Sequence, residues 1–527
     1  MAEPFEGEEP FGKPDGASDD INPSRNGIVR FPARFGGVAR DPGDEKVRVV
    51  VGQLGSGKSL HLRRMQNHVA QDDSSGDLAT DVETNSQLTT ESVLKFAELL
   101  KLKGGNTEDW KALWKRGIIR SAATQILFSK HIQGGAGQDE GRQALRRHLR
   151  FLGNPETPHK VTQEVQLIIQ SYDTERALRR YLSDKRWMDI DNYVADVLSQ
   201  SAGLFLYIDD VDKNFRWAPA LWIQCQRGLF YTVMDMLREE RYRAKLHVVM
   251  ALRDVAFSSV KVSEHAARYL DKTHINILSW NRASMDYLLE AKLRSLPEDY
   301  FSDPESRSVQ SWLGAASIRN SRSSAELEPL TQYLIRHTSM VPRDLIRMGN
   351  DLCTEIRASS GGKPSAERIR EIVSANGAAA ASRQAVQSAN QALSDAIPPD
   401  AYRHDYDHVF LAPNMYALQE ARDHVFAAIA AAPTEHFGPT ELAAIESLAK
   451  ESFNSEQVRM ADTLWQQGLL GYVDASGSGH FYKVDSLDGS SLVVPRHSGV
   501  AHYVWNPLVF DLQLGMQPTL PHPVWPN

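Results

Sequence analysis

Apolar residues follow two patterns along this chain. Nearly unbroken apolar runs end abruptly in polar or glycine residues at KVRVVV (46–51), GLFLYIDD (203–210), LHVVMALRD (246–254) and HINIL (274–278), with a weaker run at DLATDVE (77–83). Runs of this kind mark strands buried on both faces, as in a parallel sheet. They predict five strands, at 46–51, 77–82, 203–208, 246–252 and 274–278. Elsewhere apolar residues recur every three or four positions, the period of amphipathic helices. The predicted fold class is α/β, a three-layer parallel sheet covered by helices.

The helical pattern from Thr90 to Gln200 is long for a connection between sheet strands. It reads as a helical insertion, broken by a loop at GGAGQDEG (134–141). After Trp280 the pattern is helical to about Asn376, with loops at 302–327 and 358–365. The Ala-rich stretch 377–396 reads as a connecting helix or linker. From Asn414, three helices precede two short strands around ASGSG, which predict a hairpin; this is the order of a winged helix. Residues 1–44, rich in Pro, Gly, Asp and Glu, predict a flexible tail. The expected division is a tail (1–44), a core (45–285), an all-α lid (286–400), a winged-helix domain (401–516) and an irregular end (517–527).

Composition narrows the class. The 527 residues are 42% hydrophobic and 24% charged, with a net charge of -8. That balance argues against a protein that coats nucleic acid non-specifically. No apolar run approaches the roughly 20 residues that span a bilayer, and the acidic opening MAEPFEGEEP is not a secretory signal. Two distant cysteines, Cys225 and Cys353, fit buried thiols in a reducing cytoplasm, the expected location.

The chemistry concentrates after the first strand. Gly52, Gln53, Leu54, Gly55, Ser56, Gly57, Lys58 and Ser59 fit G-x-x-x-x-G-K-[ST] in every required place. Glycines let backbone N–H groups turn inward around a phosphate. Lys58 supplies a cation to the β- and γ-phosphates, Ser59 a hydroxyl to Mg²⁺, and the helix that continues through Leu60 points its positive end at the anion. The run at 203–208 ends in Asp209 and Asp210. Asp209 is placed to hold the Mg²⁺ shell, and Asp210 to act as general base or position a water; a helix cap or an arginine partner is the alternative for Asp210. Asp in place of the commoner Glu suggests slow turnover. Arg253 ends the strand at 246–252, within reach of a γ-phosphate or else in a surface loop. In TSMVPRDLIR, Pro342 suits a helix start, and Arg343 and Arg347 share a helix face from which one can reach back over a nucleotide.

Together, GQLGSGKS, LFLYIDD, VVMALRD, HINIL and VPRDLI resemble the ASCE-division P-loop ATPases of the AAA+/STAND type that carry a C-terminal winged helix. YIDDVDKNFRW is similar to bacterial conflict and antiphage-system ATPases. The resemblance covers about residues 45–515. It implies ATP with Mg²⁺ as cofactors, a 5-1-4-3-2 sheet order, Arg253 as a sensor, Pro342 in contact with the nucleotide, and nucleotide-controlled assembly into a homo-oligomer or with a protein effector. No guanine-reading N/T-K-x-D motif follows the fourth strand, consistent with ATP. The basic, aromatic RFPARFGG (30–37) stands where many such ATPases hold adenine; a plain linker is the other reading. The long insertion, and the lack of a repeat array after the winged helix, depart from the STAND pattern.

The leading expectation is a slowly hydrolysing ATPase switch. Its rivals are a DNA-binding loader of the origin-recognition type and a nucleotide-binding scaffold that scarcely turns over. For the loader, the candidate recognition helix is 455–467, whose one cation is Arg459. A stronger basic surface is Arg142, Arg146, Arg147 and Arg150 in the insertion, followed by Arg176, Arg179, Arg180, Lys185 and Arg186. A solvated helix face is the plainer reading of both clusters.

Overall fold

The computed structural model describes residues 9–15, 29–72, 77–83, 86–100, 107–128, 136–149, 156–200, 203–209, 211, 219–242, 245–261, 266–270, 273–319, 327–359, 362–396, 414–482 and 492–515. β1 (Val49–Gly52) runs through the glycine loop into α1 (Lys58–Gln71), and β2 (Leu78–Ala79) follows. Six helices come next: α2 (Thr90–Leu99), α3 (Thr107–Phe128), α4 (Ala136–Leu149), α5 (Val161–Gln170), α6 (Glu175–Leu182) and α7 (Arg186–Ser199). The sheet resumes with β3 (Leu204–Ile208), α8 (Pro219–Met236), β4 (Leu246–Arg253), α9 (Asp254–Lys261), α10 (Ala266–Tyr269) and β5 (Ile275–Ile277).

The five strands are parallel and ordered β2-β3-β4-β1-β5, the order the resemblance implies, read from the opposite edge. One transverse row passes through Ile208, Met250, Val49 and Ile275. Gly52, Asp209 and Arg253 therefore leave the sheet at the same edge, where parallel α/β sheets place their ligands. Alternate residues serve opposite faces. Val50, Phe205, Tyr207, Val249 and Ala251 pack on Leu62, Met65 and Val69 of α1. Val49, Val51, Leu204, Leu206, Met250 and Leu252 face the core shared with the insertion.

That insertion is a packed layer rather than an appendage. Trp110 and Trp114 of α3 are fully buried, and Trp114 Nε1 donates to Cys225 O at 2.8 Å. α3 lies close to α8 because Gly228 leaves room: a Cβ there would sit 2.3 Å from Trp110 Cβ. Glu83 pins the layer to the sheet. It bridges Ile208 and accepts hydrogen bonds from Val161 N (2.6 Å), Thr162 N (3.2 Å) and Thr162 Oγ1 (2.6 Å), capping α5. Burial pushes its carboxyl above the usual range, against those hydrogen bonds. The loop expected at 134–141 is helical from Ala136. Gly141 belongs to α4 because it passes Val197 of α7, where a Cβ would meet Val197 Cγ2 at 2.9 Å.

A second core is built by α11 (Arg282–Ser295), α12 (Val309–Leu313), α13 (Leu330–Arg336) and α14 (Pro342–Ala358). The loop expected at 302–327 contains α12, and it contributes to an antiparallel hairpin of β6 (Ser317–Arg319) and β7 (Leu327–Pro329). The Ala-rich stretch is the second half of one helix, α15 (Ala366–Ala396). Ile369 and Val373 enter the second core, while Ala380, Ala381, Ala385, Ala389 and Ala392 enter the first.

The remaining described residues form the helices Asn414–Ala430, Pro439–Ser452 and Met460–Gln466, with a four-stranded antiparallel sheet ordered β10-β9-β11-β8. Its strands are β8 (His436–Phe437), β9 (Leu470–Asp474), β10 (Gly479–Phe481) and β11 (Val500–Trp505).

The expected flexible tail is corrected by its described parts. Phe11 is 1% exposed and belongs to the second core. Gly37 lies so close to β5 that a Cβ would meet Ile277 O at 1.8 Å. Arg40 donates to Thr273 O at 2.7 Å and Ile275 O at 3.2 Å.

Candidate functional site

The glycine loop joins β1 to α1 by a backbone that only glycines adopt readily. Gly55 and Gly57 have φ of +89° and +94°, in the left-handed region that costs other residues free energy. Gly52 faces Ser56, whose Oγ would lie 2.3 Å from a Cβ there. Gly57 stands at the N-cap of α1 and, having no side chain, offers no cap to the first N–H groups of the helix. Ser56 is 2% exposed and its Oγ is a buried polar atom without a hydrogen-bond partner. Lys58 folds back over the loop, donating from Nζ to Gly52 O at 2.9 Å and Gln53 O at 3.0 Å. Positive-φ glycines, a helix start and the Lys58 ammonium make a cationic cradle that fits a phosphate.

Two neighbours hold the loop. Trp280 Nε1 donates to Ser56 O at 3.0 Å. The N-terminus of α14 approaches from the other side: Arg343 N lies 3.4 Å from Gly55 O, and a Cβ on Gly55 would touch Arg343 Cβ at 3.0 Å and Val341 Cγ2 at 3.3 Å. Pro342 is the first residue of α14 and is buried, whereas Arg347 is exposed. Just ahead of it, Met340 has a φ of +54°. Such a conformation stores roughly 1–3 kcal/mol and persists where surroundings impose it.

Arg253 and Asp209 are both buried at the sheet edge, 8% and 4% exposed. Arg253 N donates to Gln226 Oε1 at 3.4 Å. Asp210 lies outside the described residues.

A narrow cleft opens beside the loop. Gly52, Gln53, Ser56, Trp280, Met340 and Gln384 line it, together with Tyr482 and Asn506 from the C-terminal unit. Lys58, Ser59, Asp209 and Arg253 are not among its lining residues. The cleft thus gathers part of the glycine loop, the residues just before α14 and the C-terminal unit, while Pro342, Arg343, Asp209 and Arg253 are not among its lining residues.

Comparison with protein-family models, curated proteins and solved structures finds no match.

Asp254 is a site residue that the sequence reading passed over. It lines the cleft and is 8% exposed. Burial raises its carboxyl above the ordinary value, opposed by the positive charges of Lys58 and Arg253. Its only signal in sequence was its place after Arg253. Between the ordinary and the raised pKa the folded protein binds the extra proton, so stability falls as pH rises through that window. Asp254→Asn is therefore expected to raise the thermal midpoint above about pH 7, with the gain vanishing near about pH 4. Thermal scans across pH check this; an equal effect at both ends would remove the titration account.

The candidate DNA-reading surfaces fare differently. In the Met460–Gln466 helix every residue from Met460 to Trp465 is buried, and Gln466 Nε2 donates to Leu492 O at 2.7 Å. That helix belongs to a core and leaves little side-chain surface for a groove, though Arg459 at its start is exposed. In the insertion, Arg142 caps α3 by donating to Ile126 O and Leu127 O at 3.0 and 3.1 Å. Arg179 pairs with Glu175 and Asp109, each at 3.0 Å, and Arg186 with Asp184 at 2.6 Å. Arg146 and Arg147 are exposed on α4; Arg150 lies outside the described residues. Among the described residues no helix is long and apolar enough to cross a membrane.

Proposed function

We propose that this chain is an ATP-dependent molecular switch, with a P-loop at Gly52, Gly55, Ser56, Gly57, Lys58 and Ser59, and that nucleotide state sets the packing of a lid and a winged-helix unit against it. The observation that carries this reading is the contact of Gly55 with Val341 and Arg343 beside a cleft that the C-terminal unit also lines. An anion turning the loop's N–H groups inward acts on both attachments at once. Ser59 and Asp209 are the residues that would hold Mg²⁺, which when bound neutralises phosphate charge. Lys58 exchanges its two loop carbonyls for phosphate oxygens. Arg253 reaches the γ-phosphate side from β4, and Asp210 orients a water.

Phe31, Phe35, Trp280 and Tyr287 form an aromatic cluster with ring centroids 5.2–5.8 Å apart. It adjoins the loop through Trp280, and its half-buried rings are of the kind on which bases stack. This favours the base-holding reading of 30–37 over a plain linker.

Light scattering on the full chain with Mg-ATP, with Mg-ADP and without nucleotide tests the switch. A distinct assembled size with ATP is expected, retained for longer by Asp210→Asn. One size in all three conditions would rule the switch out.

A further inference from the structure

The second core contains a groove built for a peptide backbone, and the chain's own residues 9–15 lie in it. The Phe11 ring stacks on Trp312 at 5.2 Å and 22°. Gly349 makes the room, since a Cβ there would come within 2.3 Å of that ring. The Asn350 side chain accepts from Phe11 N through Oδ1 at 2.8 Å and donates from Nδ2 to Gly12 O at 2.8 Å. One amide thus satisfies a donor and an acceptor of the segment, as a neighbouring strand would. Gly12, at φ +106°, turns the chain so that Pro14 O accepts from Arg343 Nε at 3.2 Å. Asp15 adds a negative charge beside the same guanidinium. The backbone N–H of this arginine is the one that approaches Gly55 O.

We propose that residues 9–15 are an autoinhibitory strap whose groove on α12 and α14 lets it compete with nucleotide phosphates for Arg343. The proposal rests on the phosphate-binding reading of the glycine loop. A guanidinium whose Nε is held by Pro14 O has its Nε–Nη edge committed to the strap and cannot present that two-pronged edge to a phosphate at the same time. Docked strap and bound triphosphate therefore weaken each other, and by linkage the effect is equal in both directions. The groove's occupant is this chain's own N-terminal segment, because Phe11, Gly12 and Pro14 each meet a matching feature of the groove.

The test uses the full chain, its Phe11→Ala variant and a truncation lacking residues 1–15. Calorimetry with Mg-ATP is paired with hydrogen exchange at 9–15. Releasing the strap is expected to tighten ATP binding about tenfold, the scale of one charge-assisted hydrogen bond returned to the ligand. A peptide of residues 9–15 added to the truncated chain is expected to reverse the gain. ATP should speed exchange at 9–15 in the unaltered chain, and Arg343→Ala should abolish the difference between strapped and unstrapped forms. Lys58-dependent binding that ignores the strap's removal overturns this proposal alone. No nucleotide binding in any form overturns the phosphate-site reading, and the strap with it.

Discussion

Lys58→Ala is expected to lower affinity for Mg-ATP by at least about 100-fold. The ammonium gives up two loop carbonyls, Gly52 O and Gln53 O, for phosphate oxygens. Each charge-assisted bond to phosphate is worth roughly 1.5–3 kcal/mol, so losing two costs about two orders of magnitude or more. The structural effect should be small, because those carbonyls lie at the rim of a cleft and can turn to water. Calorimetric titration checks the affinity and a thermal scan the fold. A variant that keeps its melting behaviour and binds within threefold of the parent, an arbitrary margin of about 0.7 kcal/mol, would show that the loop holds no phosphate.

The largest stability effect is expected at Arg120→Ala, a residue that does not line the cleft. Arg120 Nε donates to Glu164 Oε2 at 2.6 Å, with the side chains 2% and 0% exposed. His159 Nδ1 lies 2.9 Å from the other oxygen. Burial raises the Glu164 carboxyl, and the hydrogen bonds and charges of His159 and Arg120 more than offset it, holding the group below its ordinary value. Removing Arg120 leaves that carboxylate buried with half its support, at a cost of about 3–5 kcal/mol. Arg120→Met combined with Glu164→Leu removes both charges and should cost far less. Urea midpoints for the two variants decide the matter: an equal loss in both would mean that packing of α3 on α5, and not charge, governs the site.

The sheet was legible because its strands are buried on both faces and so read as apolar runs. The register then explains why Gly52, Asp209 and Arg253 emerge together. The strand ends were less legible: β2 has only Leu78 and Ala79 in register with β3, and the chain bridges β3 again at Glu83, whose side chain caps α5. The Ala-rich half of α15 looked too poor in large side chains for a core. Its small residues are buried because they allow close approach to the Asn414–Ala430 helix. The helix offered for base reading carried its message in Met460, Leu464 and Trp465, which fill a core. The N-terminal strap was invisible: one phenylalanine amid Pro, Gly and Glu has no periodicity, and its partners Trp312, Arg343 and Asn350 lie some three hundred residues on. The cleft is likewise an encounter of Ser56, Gln384 and Tyr482, which no local pattern joins.

α15 is 31 residues long, which makes it a rod of about 46 Å. Its first turns are seated among the helices that touch the glycine loop, and Arg383, midway along, is ion-paired with Asp344 of α14. Its far half is clamped to the C-terminal helices. A rod fixed in this way is a lever arm. Tilting α14 and the base of α15 by about 10° would sweep the Ala396 end through about 8 Å. A displacement too small to see at Gly55 would thus be magnified at the far end of α15, and the C-terminal helices packed on that end would act as the pointer on the dial.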